Sequence, residues 1–229
     1  MKHEAALVTG GGGLVGSAVA RALAARDVFV TLWGRDESRL GRVADEIGGQ
    51  AARVDLAVGE QVEEGVSALA AQGPTVSLVV HCAGVWTPGT IAELDAGVIR
   101  THLDAMVLGS CLAARAALRL FLGASDGHFV QIAAASAKPG FPETALNMAA
   151  KRAQDGLQEG LTRELRGGDV RLTTLYPDSI AEAASDAVAT GAAMSAADVA
   201  DAVLFAVDAA ATVHVDEIVL TAPRTGRWE

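Results

Sequence analysis

The glycine-rich stretch near the amino terminus constrains the fold of this chain more than any other feature. The segment Ala5–Leu23 reads AALVTGGGGLVGSAVARAL: a short apolar run ends in glycines, and a helix-like pattern opens at about Leu14. Glycine tolerates positive φ and lets a phosphate approach bare backbone. The helix amino terminus supplies unpaired N–H groups and a partial positive charge. The stretch predicts a strand, turn and helix that hold a pyrophosphate, or else a tight turn with no ligand.

Short apolar runs alternate with helical patterns along the whole chain. The predicted strands are Ala5–Val8, Val28–Trp33, Ala51–Val54, Val76–His81, His128–Ile132, Val170–Tyr176 and Glu217–Thr221. The predicted helices start at about Leu14 and cover about Asp36–Ile47, Glu60–Ala71, Asp95–Leu122, Glu143–Arg166 and Ala196–Ala209. Continuous apolar strands between helices indicate a parallel sheet covered on both faces. The pattern predicts the α/β class: one doubly wound domain over residues 1–229, with a parallel seven-stranded sheet.

Charge and cysteine usage exclude several classes of protein. The formal net charge of −10 argues against binding to nucleic acid or to an anionic membrane surface. No stretch is long and apolar enough to span a bilayer, and the glycine run would break a signal peptide. Cys82 and Cys111 lie in apolar stretches and are expected to be buried free thiols, with no metal-ligand spacing. The sequence thus predicts a soluble cytoplasmic protein without a metal site.

Several short motifs together resemble the short-chain dehydrogenase/reductase family over nearly the whole chain. They are TGGGGLVG at Thr9–Gly16, Asp55-Leu56, HCAG at His81–Gly84, MAAK at Met148–Lys151, Tyr176-Pro177 and the tail His214–Pro223. The resemblance implies a Rossmann domain that binds a nicotinamide dinucleotide and an oxidoreductase activity on a small carbonyl or alcohol substrate. It also implies that the cofactor contacts Gly10, Gly12, Gly13, Leu14, Val15, Arg35, Asp55, Leu56, Ala83, Gly84, Lys151 and Pro177.

The residues after the second predicted strand favour NADP(H) over NAD(H). An NAD-specific site places a carboxylate at this strand end to bond the ribose hydroxyls. Here the strand ends in Gly34 and Arg35, and a guanidinium pairs well with a 2′-phosphate. Asp36, the next residue, is expected to cap the following helix. The alternatives are that Arg35 is only a solvated surface residue and that no cofactor binds.

The catalytic region departs from the family pattern of asparagine, serine, tyrosine and lysine. Lys151 is present, but Asn147 stands four residues before it, where the family has its tyrosine. Ala134 stands at the serine position, and His102 is assigned to the asparagine position. A side-chain amide releases no proton near neutral pH, and alanine offers no hydrogen bond to an oxyanion. The resemblance therefore implies a dinucleotide-binding protein that has lost the standard carbonyl-reducing chemistry.

A second interpretation keeps the chain as an active NADP(H)-dependent reductase or dehydrogenase with a displaced acid. The candidates for that acid are Ser136, His102, Tyr176 and Lys151. His102 would titrate near neutrality, and burial would lower the pKa of Lys151. Glu182, where the family often has threonine, would weaken dinucleotide binding if it faced the cleft.

The family forms dimers and tetramers through its two long central helices, so the resemblance also implies a homodimer or homotetramer. Both predicted helices carry many small residues, which allow helices to approach closely. They include Ala113, Ala114, Ala116, Ala117, Ala149, Ala150, Ala153, Gly156 and Gly160.

Overall fold

The structure is a computed structural model that describes residues 3–122, 124, 126–135, 143–210 and 212–224. Its strands are β1 (Ala5–Thr9), β2 (Phe29–Gly34), β3 (Gln50–Arg53), β4 (Val76–His81), β5 (Gly127–Ile132), β6 (Val170–Pro177), β7 (Ile180–Ala181), β8 (Met194–Ser195) and β9 (Glu217–Leu220). A seven-stranded parallel sheet has the order β3-β2-β1-β4-β5-β6-β9, which confirms the predicted doubly wound α/β class.

The strand order reverses between β1 and β4, in the middle of the sheet. From β1 the chain builds outward through β2 and β3, then crosses back to β4 on the other side. The carboxyl ends of β1 and β4 meet in register, with Thr9 opposite His81. In an open parallel sheet the ligand crevice lies outside the strands at such a reversal. The glycine-rich turn after Thr9 is therefore at the mouth of this crevice.

Helices cover both faces of the sheet. They are α1 (Leu14–Ala24), α2 (Glu37–Ile47), α3 (Gly59–Gln72), α4 (Ala96–Leu103), α5 (Gly109–Phe121), α6 (Ala145–Glu164), α7 (Asp186–Ala189) and α8 (Ala196–Val207). One buried cluster packs α1, α2 and α8 against residues such as Val8, Leu32 and Val80. Another packs α3, α5 and α6 against the alternate strand residues, including Leu7 and Val79. The sheet is therefore buried on both faces, as continuous apolar strands require.

The predicted helix Asp95–Leu122 is interrupted by a π-helical segment, Asp104–Leu108, between α4 and α5. At this point the Met106 carbonyl accepts hydrogen bonds from the Ser110 hydroxyl at 2.7 Å and from Gln154 Nε2 at 3.2 Å. These side chains satisfy a carbonyl where the helix widens. Such segments occur often at functional sites, and sequence periodicity does not reveal them because they add only one residue to a turn.

Other sequence expectations need correction. Cys111 is exposed, not buried, because it lies on the outer side of α5, and Cys82 is partly buried. Both thiols are free. The helix expected from about Glu143 begins at Ala145, since Glu143 adopts a left-handed φ of 62° that helices exclude. The loop after β6 contains a small parallel pair, β7 with β8, that the sequence did not predict.

Among the residues that the structure describes, no helix combines the length and apolarity needed to cross a membrane. Within the same residues, no cluster of three or more histidine, cysteine or acidic side chains is arranged to hold a metal ion.

Candidate active site

The turn between β1 and α1 is packed so tightly that only glycine fits at two of its positions. Gly10 has a φ of +67°, and a Cβ there would lie 2.7 Å from the Ala83 backbone. A Cβ on Gly16 would lie 2.2 Å from the Gly10 carbonyl oxygen. The Gly13 N–H donates to that same oxygen at 2.9 Å and closes the turn. The first turn of α1 thus sits directly on the glycine loop, with bare backbone facing the crevice.

The amino terminus of α1 is open to an anion. Its cap residue, Gly13, has no side chain to accept a hydrogen bond from the first turn, and that turn contains no acidic residue. The first N–H groups of a helix have no partner within the helix, and the helix dipole adds partial positive charge there. This local arrangement suits a phosphate.

A cavity of about 520 Å³ extends from this turn past the carboxyl ends of β2 and β4. Most of the predicted cofactor contacts line it: Gly10, Gly12, Gly13, Arg35, Asp55, Leu56, Ala83 and Gly84. The remaining ones do not. Leu14 lines a neighbouring groove, Val15 packs against the core, and neither Lys151 nor Pro177 is part of the cavity wall.

The far end of the cavity carries two arginines, of which the sequence identified only Arg35. Arg39, one turn into α2, also lines the cavity. The Asp36 carboxylate caps α2 by accepting from the Arg39 N–H at 3.0 Å, as expected, and it also accepts from the Ser38 hydroxyl at 2.7 Å. These bonds, with that from Ser38 first, lower the pKa of Asp36. The sequence gave no signal for this pair, because Arg35 precedes the helix cap Asp36 and only Arg39 lies on α2.

Asp55 and Leu56 form the side of the cavity after β3. The Asp55 carboxylate accepts from the Ala57 N–H at 3.0 Å, and its own N–H donates to the Gln61 side chain at 2.8 Å. Leu56 is buried among the side chains of α3 and α5. Asp55 therefore shapes this corner as a turn residue.

Lys151 lies on α6 with its ammonium turned inward. Nζ donates to the Ile132 carbonyl at 3.3 Å, at the end of β5. Burial lowers the pKa of Lys151 to about 8, although the negative charge of Asp155 and the nearby Cys82 act in the opposite direction. The amine is therefore poised to change its protonation state close to neutral pH.

Asn147, one turn before Lys151, is buried and bound to the main chain of the loop after β4. Its Oδ1 accepts from the Thr87 N–H at 3.2 Å, and its Nδ2 donates to the Thr87 carbonyl at 2.6 Å. Both polar atoms of the side chain are thus used by one residue, 60 positions earlier in the chain. Ala134 follows β5 and is partly buried. Ser136, an expected alternative acid, lies outside the described residues.

His102 is buried on α4 beside the same loop. Its Nδ1 is hydrogen-bonded to the Thr87 hydroxyl at 3.0 Å, and its buried Nε2 has no hydrogen-bond partner among the residues that the structure describes. Burial, followed by the positive charge of Lys151, lowers the pKa of His102 below 6.5. This shift favours the neutral imidazole, and the expected role of His102 as a proton shuttle stays a prediction.

Tyr176 is buried at the end of β6, with only 2% of its surface exposed. Burial raises the pKa of its phenol, and the charge of Asp155 and a hydrogen bond to that carboxylate act in the same direction. A phenol with a raised pKa is a weak proton donor near neutral pH, because an efficient acid or base has a pKa close to the working pH.

His81, at the end of β4, is part of a buried hydrogen-bonded chain that connects β1, β4, α5 and α6. It bonds to the Thr9 hydroxyl at 2.8 Å and to the Ser110 hydroxyl at 3.0 Å. Gln154 on α6 extends the chain by donating to Ser110 at 2.6 Å. Burial lowers the pKa of His81 to about 3, so the ring is neutral and structural. The sequence gave no signal for Gln154, since its partner lies 44 residues away.

Glu182 lies in the loop that contains β7 and is exposed. It lines a groove together with Gly12, Gly13 and Leu14, the residues at the amino terminus of α1. Arg39 and Arg42 are also part of this groove. Glu182 therefore lies beside the glycine loop.

Comparison with known proteins agrees with this architecture. A family model described as short chain dehydrogenase matches residues 4–216. An uncharacterized oxidoreductase of Staphylococcus saprophyticus is 29% identical, over 95% of this chain and 97% of its own. A metagenomic short-chain oxidoreductase in complex with NADP is 26% identical with a TM-score of 0.82, and the match covers 95% of this chain and 96% of that one.

At lower identity the likeness is one of fold. An alcohol dehydrogenase from the archaeon Thermococcus sibiricus, complexed with 5-hydroxy-NADP, has a TM-score of 0.88 at 22% identity, with 96% of this chain and 97% of that chain covered. The family match spans nearly the whole sequence, from the glycine-rich turn to the residue before β9. The chain therefore belongs to the short-chain dehydrogenase family.

Proposed function

We propose that this chain binds NADP(H) in the cavity between the glycine loop and α2. The residues present fit such a ligand: Gly10, Gly12 and Gly13 line the cavity with bare backbone, and the uncapped α1 terminus faces it. The metagenomic relative, crystallised with NADP, supports the same assignment. When bound, a nicotinamide dinucleotide supplies or accepts a hydride.

The preference for NADP(H) is supported by the charges at the far end of the cavity. Arg35 and Arg39 both line it, and guanidinium groups pair with phosphate through charge-assisted hydrogen bonds. The nearest carboxylate, Asp36, is engaged by the helix cap and by an ion pair with Arg39 Nε at 3.3 Å. A 2′-phosphate would therefore meet two cations, whereas the carboxylate available to the ribose hydroxyls of NAD, Asp36, is already engaged by Ser38 and Arg39.

We further propose that the chain has lost the standard carbonyl-reducing chemistry of its family. The observation that carries this proposal is the paired bond between Asn147 and the main chain of Thr87. In the family, the residue at this position gives a proton to the substrate oxygen, and the lysine one turn on lowers the pKa of its phenol. Here the amide is bound elsewhere and has no proton to give. Ala134 also leaves the oxyanion without the serine hydroxyl.

The function that follows is binding without the usual turnover, as in a ligand-sensing or interaction protein. Proton transfer by a positioned group is worth about a hundred- to ten-thousand-fold in rate, so its loss removes most carbonyl reduction. Lys151 is retained, and by resemblance its ammonium bonds the nicotinamide ribose. This role needs no tyrosine.

Lys151 also supports a second candidate, a reductase in which the amine itself is the acid. Its pKa of about 8 lies near the working pH, unlike that of Tyr176, which burial raises, or His102, which burial lowers. Only the protonated amine can donate to a substrate oxygen. Turnover through Lys151 would therefore fall as the pH rises through about 8.

One experiment separates the two candidates. NADPH and NADH are titrated while energy transfer from tryptophan is followed, and carbonyl and alcohol substrates are then screened for turnover. Tight NADPH binding without turnover supports the binding protein. Turnover that Lys151→Ala abolishes supports the displaced acid. Absence of binding by either nucleotide would refute both.

We also propose that the protein forms a homodimer or homotetramer through the outer faces of the central helices. Ala113, Ala117 and Ala150 are buried within the chain's own core, so these small residues serve internal packing. Leu103, at the end of α4, and Leu108, just before α5, remain exposed. Light scattering that gives the mass of a monomer would refute this assembly.

A further inference from the structure

The loop after β4 forms a wall of the proposed NADP(H) cavity but has little regular structure of its own. Cys82, Ala83, Gly84 and Val85 all line the cavity and lie outside any helix or strand. Cys82 is held at the start of the loop, where its N–H donates to the Thr9 carbonyl of β1 at 3.1 Å. The Val85 N–H donates to the thioether of Met106 at 3.1 Å, and sulfur is a weak acceptor. Beyond Cys82, the shape of this wall therefore depends on what fixes the loop further along.

Thr87 is the point at which the loop is fixed, and it is held in three ways. Asn147 on α6 binds its N–H and its carbonyl, and His102 on α4 binds its hydroxyl. The two helices are thereby joined through one loop residue. Both Asn147 and His102 are buried, where a broken hydrogen bond leaves a polar group unsatisfied and is costly.

The amide group is chemically suited to this task. A main-chain N–H and C=O pair needs one acceptor and one donor side by side, and an asparagine side chain presents both. A phenol has a single hydroxyl and cannot match that pattern. The side chain that would serve catalysis and the one that holds Thr87 therefore exclude each other at position 147.

We propose that Asn147 is a positioning residue, whose paired hydrogen bonds with the Thr87 main chain hold the loop that forms a wall of the dinucleotide cavity. A side chain with a structural role thus stands at the position where the family has its proton donor. The proposal rests on the proposed function only where NADPH binding is measured. The exchange rate of the Thr87 amide hydrogen reports the hydrogen bond to Asn147 directly and needs no ligand.

Hydrogen exchange of the Thr87 amide and the Kd for NADPH test this in three variants of the full chain. Asn147→Ala removes both bonds. Asn147→Leu keeps the size and branching of the side chain but can neither accept from the Thr87 N–H nor donate to the Thr87 carbonyl. Thr87→Ala is the matched control, because it removes only the hydroxyl and keeps the main-chain pair.

We expect the Thr87 amide to exchange about tenfold or more faster in both Asn147 variants, and the Kd for NADPH to rise by about tenfold. The Thr87→Ala control should stay within about twofold of the wild type in exchange. The Leu variant, similar in size to Asn, is decisive, since a role in packing alone predicts that it behaves like Asn. Equal exchange in the wild type and Asn147→Leu would overturn the proposal. A wild type that binds no nucleotide would refute the proposed function, while the exchange data would still decide the role of Asn147.

Discussion

The two halves of the cleft present different kinds of atom. The dinucleotide half, Gly10–Gly16 with Arg35 and Arg39, offers mostly backbone N–H groups and guanidinium charge. The catalytic half, Ala134 with Asn147 and Lys151, depends on the functional group of each side chain. A site made of backbone atoms persists as long as the fold does. Its glycines are fixed by packing, since a side chain at Gly16 would clash with the Gly10 carbonyl. A side-chain site is lost through one substitution that the fold tolerates. On the proposed function, this chain has kept the first half and changed the second.

Restoring the catalytic half gives the largest expected effect. The double variant Ala134→Ser with Asn147→Tyr should raise carbonyl reduction with NADPH by about a hundred- to ten-thousand-fold, the usual worth of a positioned proton donor. The gain should come with a weaker NADPH affinity, since tyrosine cannot hold Thr87. Steady-state rates and direct titration measure the two effects separately. A double variant as inactive as the wild type, although folded and able to bind NADPH, would show that more than these groups was lost.

Damage to the dinucleotide half should be severe and structural. Gly16→Ala places a Cβ 2.2 Å from the Gly10 carbonyl, so the turn must move. We expect NADPH binding to be lost and the free energy of unfolding to fall by about 1–3 kcal/mol, as for overpacked sites. Gly41→Ala is the control: it lies within α2 with nothing within 4 Å of its Cβ position. That variant should be slightly more stable in thermal unfolding, by about 0.5–1 kcal/mol. Equal behaviour of the two variants would contradict this account of the turn.

Removing the guanidinium charges should change the choice of nucleotide and not the ability to bind one. Arg35→Ala and Arg39→Ala should each weaken NADPH binding by about tenfold and leave NADH nearly unchanged, since charge-assisted bonds contribute about 1.5–3 kcal/mol. The ratio of the two dissociation constants is the measurement. Arg163→Ala is the control, since this exposed arginine on α6 lines neither the cavity nor the neighbouring groove. A parallel loss of NADPH and NADH affinity would mean that the arginines only support the fold.

The smallest expected effect concerns Glu182, an acidic residue beside the glycine loop. Its carboxylate shares a groove with Gly12 and Gly13, so it should repel a pyrophosphate at the α1 terminus. Glu182→Gln should tighten NADPH binding by about two- to threefold at low ionic strength, and the gain should shrink as salt screens the charge. An affinity that the substitution leaves unchanged at low salt would show that this exposed side chain points away from the ligand.

Local patterns predicted much of this molecule. The Asp36 cap, the glycine turn and the strands around it were readable because their causes lie within a few residues. The π-helical segment was not, because it adds only one residue to a turn and leaves no mark in the periodicity. The proton-shuttle role of His102 was expected from its ordinary pKa, whereas the burial that lowers this pKa arises only in the folded chain.

By itself the sequence determined the fold class, the strand succession and the identity of the groups at each position of the cleft. Hydrophobic periodicity and glycine conformation are properties of neighbouring residues, so no tertiary information was needed. Only the tertiary structure decided which partner each polar group takes: Asn147 meets Thr87 across 60 residues, and Arg39 joins Arg35 at the cavity. Pairing and burial set hydrogen-bonding state and pKa, and both arise only when distant segments pack together.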